Sequence, residues 1–178
     1  MDIKQDNQQE RSDIDNQWLL DIKSKTDWIW FIVGFCDGEG SLHVSLRPRA
    51  DYENGWKVSL CFNITQKEKP ILARIKSFFG CGTLRERNDN VWYYEVNNLL
   101  MIKRRIIPFF KTYNFRTIKN LNRFQGFVKI SKLLNDSSTM DNLDVILQIR
   151  DKYLLSQKTK YSREFIMKSS ETNTPNTF

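Results

Sequence analysis

Two carboxylates stand at the end of the most apolar stretch of this chain. Asp37-Gly38-Glu39-Gly40-Ser41 follows the nine uncharged residues Trp28 to Cys36. Thr26 and Asp27 offer N-cap oxygens ahead of that stretch, and Gly38 and Gly40 supply the stop, so a helix ends at the acids. There the unpaired carbonyls and the negative end of the macrodipole disfavour an anion by about 0.3–1 kcal/mol. A hard divalent cation with oxygen ligands is the simplest group to gather such acids, and the plain alternative is a solvated pair closing an ordinary core helix. Nine helical residues rise only about 13 Å, too little to span a bilayer. A helix apolar all round needs protein on every side, one face on its own domain and the other on something else. Gly34 and Gly38 lie four apart without Cβ atoms, which suits a second copy of the same helix.

The elements that must position these acids follow from periodicity. From Ser41 the period is two: Leu42, Val44 and Leu46 alternate with Ser41, His43, Ser45 and Arg47 until Pro48. Asp51 to Gly55 is a turn with an Asn-Gly signal. The return strand places Val58, Leu60, Phe62 and Ile64 on one face and Lys57, Ser59, Cys61 and Asn63 on the other, and ends near Gln66. Pro70 opens a helix striped by Ile71, Leu72, Ile75, Phe78 and Phe79 and ended by Gly80. A second hairpin, Gly82–Arg87 and Val91–Val96, turns Leu84, Trp92, Tyr94 and Val96 inward. Thr83, Arg85, Arg87, Tyr93 and Glu95 point outward. Asn97 or Asn98 caps a helix that Pro108 breaks, and further helices are expected over Lys119–Leu134 and Asp141–Leu155. This order predicts an α+β domain over residues 27–155, with an antiparallel sheet, helices on one face and the other face open. A polar arm precedes it over 1–26, and a polar, frayed tail follows over 156–178.

Charge indicates the partner of the open face. The formal net charge is +7 with a pI near 9.3. Residues 1–27 hold four basic and seven acidic groups, leaving 24 and 14 for the rest, a body of +10. A basic body implies a polyanion, most simply nucleic acid. Three cysteines, at 36, 61 and 81, are odd in number and lack CxxC spacing, which argues for a reducing compartment and against a disulfide scaffold or zinc ribbon. His43 is the sole histidine and no nucleophile elbow accompanies it, which weighs against a Ser-His-Asp triad. Acids in the first 26 residues are too frequent for a transit peptide, and no apolar core suits a secretory signal.

Ile32-Val33-Gly34-Phe35-Cys36-Asp37-Gly38-Glu39-Gly40 resembles the LAGLIDADG motif of homing endonucleases and intron maturases. Gly34, Asp37 and Gly40 agree with the motif's letters, Glu39 keeps its acid, and the resemblance continues to about residue 134. It implies an αββαββα fold and a site-specific double-strand DNA endonuclease; an intron RNA maturase or a non-cleaving DNA-binding relative is the alternative. In the family the acid before the last glycine holds the catalytic metal, so Glu39, with the Gly38 carbonyl, would bind Mg²⁺ or Mn²⁺. Asp37 takes the place of the earlier, more structural acid of the catalytic set. Gln66 resembles the water-positioning residue and Lys119 the basic residue beside the attacking water. Where some relatives carry arginine, this chain has Pro70, so Lys67 or Lys69 would have to serve.

DNA contacts are expected from His43, Ser45, Arg47, Arg49, Lys57, Ser59, Asn63, Thr83, Arg85, Arg87, Tyr93 and Glu95. Arginine pairs bidentately with guanine and Asn with adenine. With one motif, two chains would be needed, meeting through Ile32, Val33, Gly34 and Phe35 on a pseudopalindrome. Ser41 to Arg49 spans roughly 30 Å, or about nine base pairs, so two halves and a central gap give a site of about twenty. Intron RNA is a further partner under the maturase reading, and a membrane is not. The resemblance and composition point to an organelle or a bacterial cytoplasm rather than secretion.

Overall fold

The computed structural model describes residues 24–52, 55–134, 142–154 and 159–172. Helix α1, Lys25–Glu39, begins earlier than Thr26 or Asp27 would have it: Ser24 is the N-cap, its Oγ accepting the Asp27 N–H at 3.0 Å. Of the arm expected over 1–26, only Ser24, Lys25 and Thr26 are described, and they open this helix. Strand β1, Gly40–Pro48, leaves α1 without a linker, because Gly40 adopts an extended conformation while its N–H still bonds to the Cys36 carbonyl. Then come β2, Trp56–Gln66; α2, Lys69–Phe79; β3, Thr83–Glu86; and β4, Trp92–Val96. All pairings are antiparallel, in the order β1-β2-β4-β3. The α+β fold with a four-stranded sheet is as expected.

One face of that sheet is the core. Leu42, Val58, Leu60, Phe62, Ile64, Tyr94 and Val96 lie on it, against Ile71, Leu72, Ile75 and Phe79 of α2. Phe62 is met edge-on by Phe79, Tyr94 and Phe110, with ring centroids 6.0, 6.3 and 5.8 Å away. Such pairs add about 0.5–1.5 kcal/mol each beyond burial.

Three expectations about the C-terminal half are corrected. Pro108 does not break the helix that Asn98 caps. Helix α3, Leu99–Met101, runs through a π-helical turn, Ile102–Ile106, into α4, Ile107–Thr112, with Pro108 in the first turn of α4. The wider turn shifts the hydrogen-bond partners by one residue, which absorbs proline's missing donor and its ring. After α5, Ile118–Leu133, the expected helix over Asp141–Leu155 is instead α6, Leu143–Ile149, closing in a second π-helical turn, Arg150–Leu154; Asp141 and Leu155 lie outside the described residues. The tail contains a further helix, α7, Arg163–Thr172. It packs rather than frays: Ile166 is fully buried, and Trp56 donates its indole N–H to Ser169 Oγ at 2.9 Å. Among the described residues no helix is long and apolar enough to cross a membrane.

Candidate active site and nucleic-acid interface

The two acids at the end of α1 have different surroundings. Asp37 Oδ2 accepts the backbone N–H groups of Arg116 and Thr117 at 2.6 and 2.9 Å. Its Oδ1 accepts Thr117 Oγ1 and Asn120 Nδ2 at 2.6 and 2.8 Å. Asn120 also donates to the Asp37 carbonyl at 2.8 Å. Those donors form the N-terminus of α5, so Asp37 satisfies orphan N–H groups where the macrodipole favours an anion. Partial burial raises its pKa, but the hydrogen bonds from Thr117, Asn120 and Arg116 outweigh that and leave the carboxyl below its ordinary value. Asp37 therefore serves as a strap between α1 and α5 rather than as a free acid.

Glu39, two residues on, is exposed and makes no side-chain hydrogen bond or ion pair among the described residues. Gly38 is exposed beside it, and a Cβ there would meet nothing within 4 Å. Gly40 has no such latitude, because a Cβ would collide with the Cys36 carbonyl oxygen. Among the described residues no three His, Cys, Asp or Glu side chains gather into a metal site. A single chain thus offers Glu39 and open backbone, and any cation there would draw its remaining oxygens from water, a second chain or phosphate.

Lys119 is exposed in the first turn of α5, the turn that Asp37 straps to α1. Gln66 ends β2 opposite Trp92, its side-chain oxygen accepting the Lys67 N–H at 2.8 Å, which leaves the amide group to donate. Of the two lysines available in place of an arginine at 70, both exposed, Lys69 lies over the Trp92 ring at 4.3 Å.

The second sheet face carries the expected polar set. Across β1 and β2, His43 faces Cys61, Ser45 faces Ser59 and Arg47 faces Lys57. The last pair sets like charges opposite one another, which is unfavourable until an anion arrives. Asp51, whose carboxylate feels Lys57, is already engaged by Arg49 at 2.7 Å. Arg49 and Arg87 lie beyond the strand ends, and Arg87 is 3.6 Å from Asp89. Across β3 and β4, Thr83 faces Glu95 and Arg85 faces Tyr93. Asn63, only 8 % exposed, faces Glu95 and contacts His43 Nδ1 through Nδ2 at 3.3 Å. Burial lowers the His43 pKa against the opposing pull of Glu95, so the imidazole is neutral at pH 7.

The apolar residues of α1 divide differently from expectation. Ile32 and Val33 are 0 % and 1 % exposed, so the chain itself encloses them and they are not available to a partner. The open face is instead Trp30, Gly34 and Gly38, four apart, with Phe31 and Phe35 half-buried at its edge. A Cβ at Gly34 would meet nothing within 4 Å. Trp30, 42 % exposed, is held by Tyr113 edge-on at 5.7 Å and by the Arg116 guanidinium at 4.6 Å. Trp30 escaped sequence reasoning, although the spacing of Gly34 and Gly38, carried one turn back, reaches it.

A LAGLIDADG endonuclease family model matches residues 32–131. A probable intron-encoded endonuclease of Neurospora crassa is 30% identical over 141 residues, 72% of this chain and 31% of that protein. The DNA endonuclease I-CreI of Chlamydomonas reinhardtii is 27% identical over 96 residues, 52% of this chain and 59% of that one. This chain therefore spans less than two thirds of these relatives. Among solved structures, the archaeal intron-encoded homing endonuclease I-Vdi141I complexed with DNA superposes with a TM-score of 0.75 at 25% identity, covering 84% of this chain and 98% of that one. I-SmaMI bound to an uncleaved DNA target in the presence of calcium ions gives 0.67 at 29% identity, covering 72% of this chain and 46% of that one.

Proposed function

The chain belongs to the LAGLIDADG endonuclease family, and from that premise we propose that it is an intron-homing enzyme that cuts both strands of a pseudopalindromic duplex of about twenty base pairs as a homodimer. The observation that carries this reading is the division of labour at the end of α1. The Asp37 carboxylate accepts four hydrogen bonds and holds the fold, while Glu39 stands exposed and unengaged among the described residues. A free carboxylate there is of little use to a protein that only binds. Pairing through Trp30, Gly34 and Gly38 would bring two copies of Glu39 toward one stretch of DNA. The coverage of solved structures supports pairing, since this chain matches nearly all of one homing endonuclease but about half of another.

In this reading Glu39 holds a divalent cation, Mg²⁺ or Mn²⁺, which when bound supplies Lewis-acid activation of phosphate and water. The Gln66 amide orients the attacking water. Lys119, carried by the strapped end of α5, stabilises charge building on the phosphate oxygens. Arg47 and Lys57 are relieved of their mutual repulsion by the backbone, and the rest of the open face reads base edges. By the same premise the gene sits in an intron, of an organellar or a bacterial genome. Duplexes made from the uninterrupted host gene, incubated with and without Mg²⁺, test the proposal. Glu39→Gln should abolish cleavage and leave specific binding within about tenfold. Cleavage at the wild-type rate by that variant would refute the assignment, and tight binding of intron RNA with no duplex preference would favour a maturase.

A further inference from the structure

Glu95 is out of place. It is a carboxylate on the face that should meet a polyanion, and its side chain is only 14 % exposed. Its hydrogen-bond partners account for it. Oε2 accepts Arg85 Nη2 at 2.6 Å, and Oε1 accepts the Cys61 thiol at 3.1 Å and the Tyr93 hydroxyl at 3.4 Å. Both of the latter remain protonated at neutral pH: burial, with Glu95 adding to it, pushes Cys61 up to about 12, and burial likewise raises Tyr93. A carboxylate has about four acceptor positions, so three donors leave little for a base. Arg85 is the opposite case. It is 63 % exposed, held through one nitrogen, and lies 5.7 Å from the Tyr93 ring. The remaining N–H groups of its fork are free to donate.

We propose that Glu95 is a positioning residue for specificity: it fixes Arg85 as a preorganised fork that reads one guanine in each half-site, while taking no base contact itself. This rests on the DNA-endonuclease reading above. An exposed arginine otherwise loses rotamer freedom when it docks, and prior anchoring by a buried acceptor removes much of that loss for the one geometry that fits guanine O6 and N7. The acid also penalises wrong sequences. It places a negative charge near the DNA that is offset only while Arg85 stays paired, so Arg85 cannot swing away to a nearby phosphate.

The test is a binding series in which each base pair of the half-site is varied in turn, for wild type, Glu95→Gln, Arg85→Ala and the double variant. Wild type should prefer guanine at one position by about ten- to a hundredfold. Glu95→Gln should reduce that preference to a few-fold, leave preferences elsewhere unchanged, and raise affinity for unrelated duplexes, since a negative charge has been removed. In the Arg85→Ala background, Glu95→Gln should change nothing further at that position, because Glu95 acts through Arg85. Arg85→Lys keeps the charge and loses the fork, so it should lose the same preference even if Glu95→Gln fails to fold. A wild type that selects its site together with a Glu95→Gln variant that keeps the guanine preference overturns this inference alone. So does a preference altered by Glu95→Gln when Arg85 is already alanine, which would make Glu95 itself the reader. A wild type that binds all duplexes equally overturns the endonuclease reading and this inference with it.

Discussion

Replacing Asp37 with asparagine asks whether the first acid of the motif is structural or chemical. The change is isosteric, so packing is kept. The asparagine oxygen can still accept the Arg116 and Thr117 N–H groups, but its NH₂ then faces Asn120 Nδ2, which is held by the Asp37 carbonyl at 2.8 Å and cannot turn over without opposing two oxygens. The Thr117 hydroxyl, which donated to the same oxygen, can turn to accept from that NH₂, so one hydrogen bond is lost, about 1 kcal/mol. Loss of the negative charge at the start of α5 removes about another 0.3–1 kcal/mol. Water reaches this exposed corner and softens the loss, so a destabilisation of about 1–2 kcal/mol is expected in urea, read as a lower midpoint at unchanged slope. The sign of the pH dependence gives a second readout. The folded carboxyl lies below its ordinary value of 3.8, so its stabilisation is complete above the unfolded value and fades as pH falls through the folded one. The variant should therefore lose less stability than wild type between about pH 5 and the acid limit. Cleavage should fall only as far as the strap's loss displaces Lys119. A variant with unchanged urea midpoint and abolished cleavage would refute the structural role and place Asp37 in the chemistry.

Two further outcomes follow from the same geometry. A Cβ at Gly34 meets nothing within 4 Å inside the chain, so Gly34→Leu enters open space and the monomer should fold as wild type while dimerisation weakens at least tenfold by sedimentation; undisturbed dimers would move the interface off this face. With Cys61 at about 12 and Cys36 raised further by complete burial, neither should react with a thiol reagent at pH 8 in the native protein, whereas all three cysteines should react in urea; stoichiometric native labelling of Cys61 within seconds would contradict its burial beside Glu95.

The sheet was legible because a strand's period of two sorts residues by face without further information, and every outward position expected on β1 and β2 is paired outward across the observed register. The cap at Asn98 was legible for the same local reason, its side chain accepting the Met101 N–H at 3.0 Å. Pro108 was misleading because a π-helical turn is a property of the two flanking segments together, and no single residue announces it. Helix α7 was hidden by polarity: its anchor is Ile166, and its partner Trp56 lies more than a hundred residues earlier. Helix α1 gave no direction because it is apolar on every side. The inward choice of Ile32 and Val33 follows from the sheet beneath them, which leaves the glycines outward by default. The network around Glu95 needed three strands in register before Cys61, Tyr93 and Arg85 could be seen to share one acceptor.

That network also divides the open face into two kinds of ground for retargeting. Ser45 faces Ser59 and Arg47 faces Lys57, and among the described residues none of the four makes a side-chain hydrogen bond or ion pair, so each pair should be open to change independently of the other in a library. His43, Asn63, Cys61, Tyr93, Glu95 and Arg85 are linked by hydrogen bonds from one to the next. Contacting residues of this kind couple, so the six form one inherited block. A new target at the base pairs under Ser45 and Ser59 could be approached without touching that block, whereas one under β4 would require the block to be redrawn together.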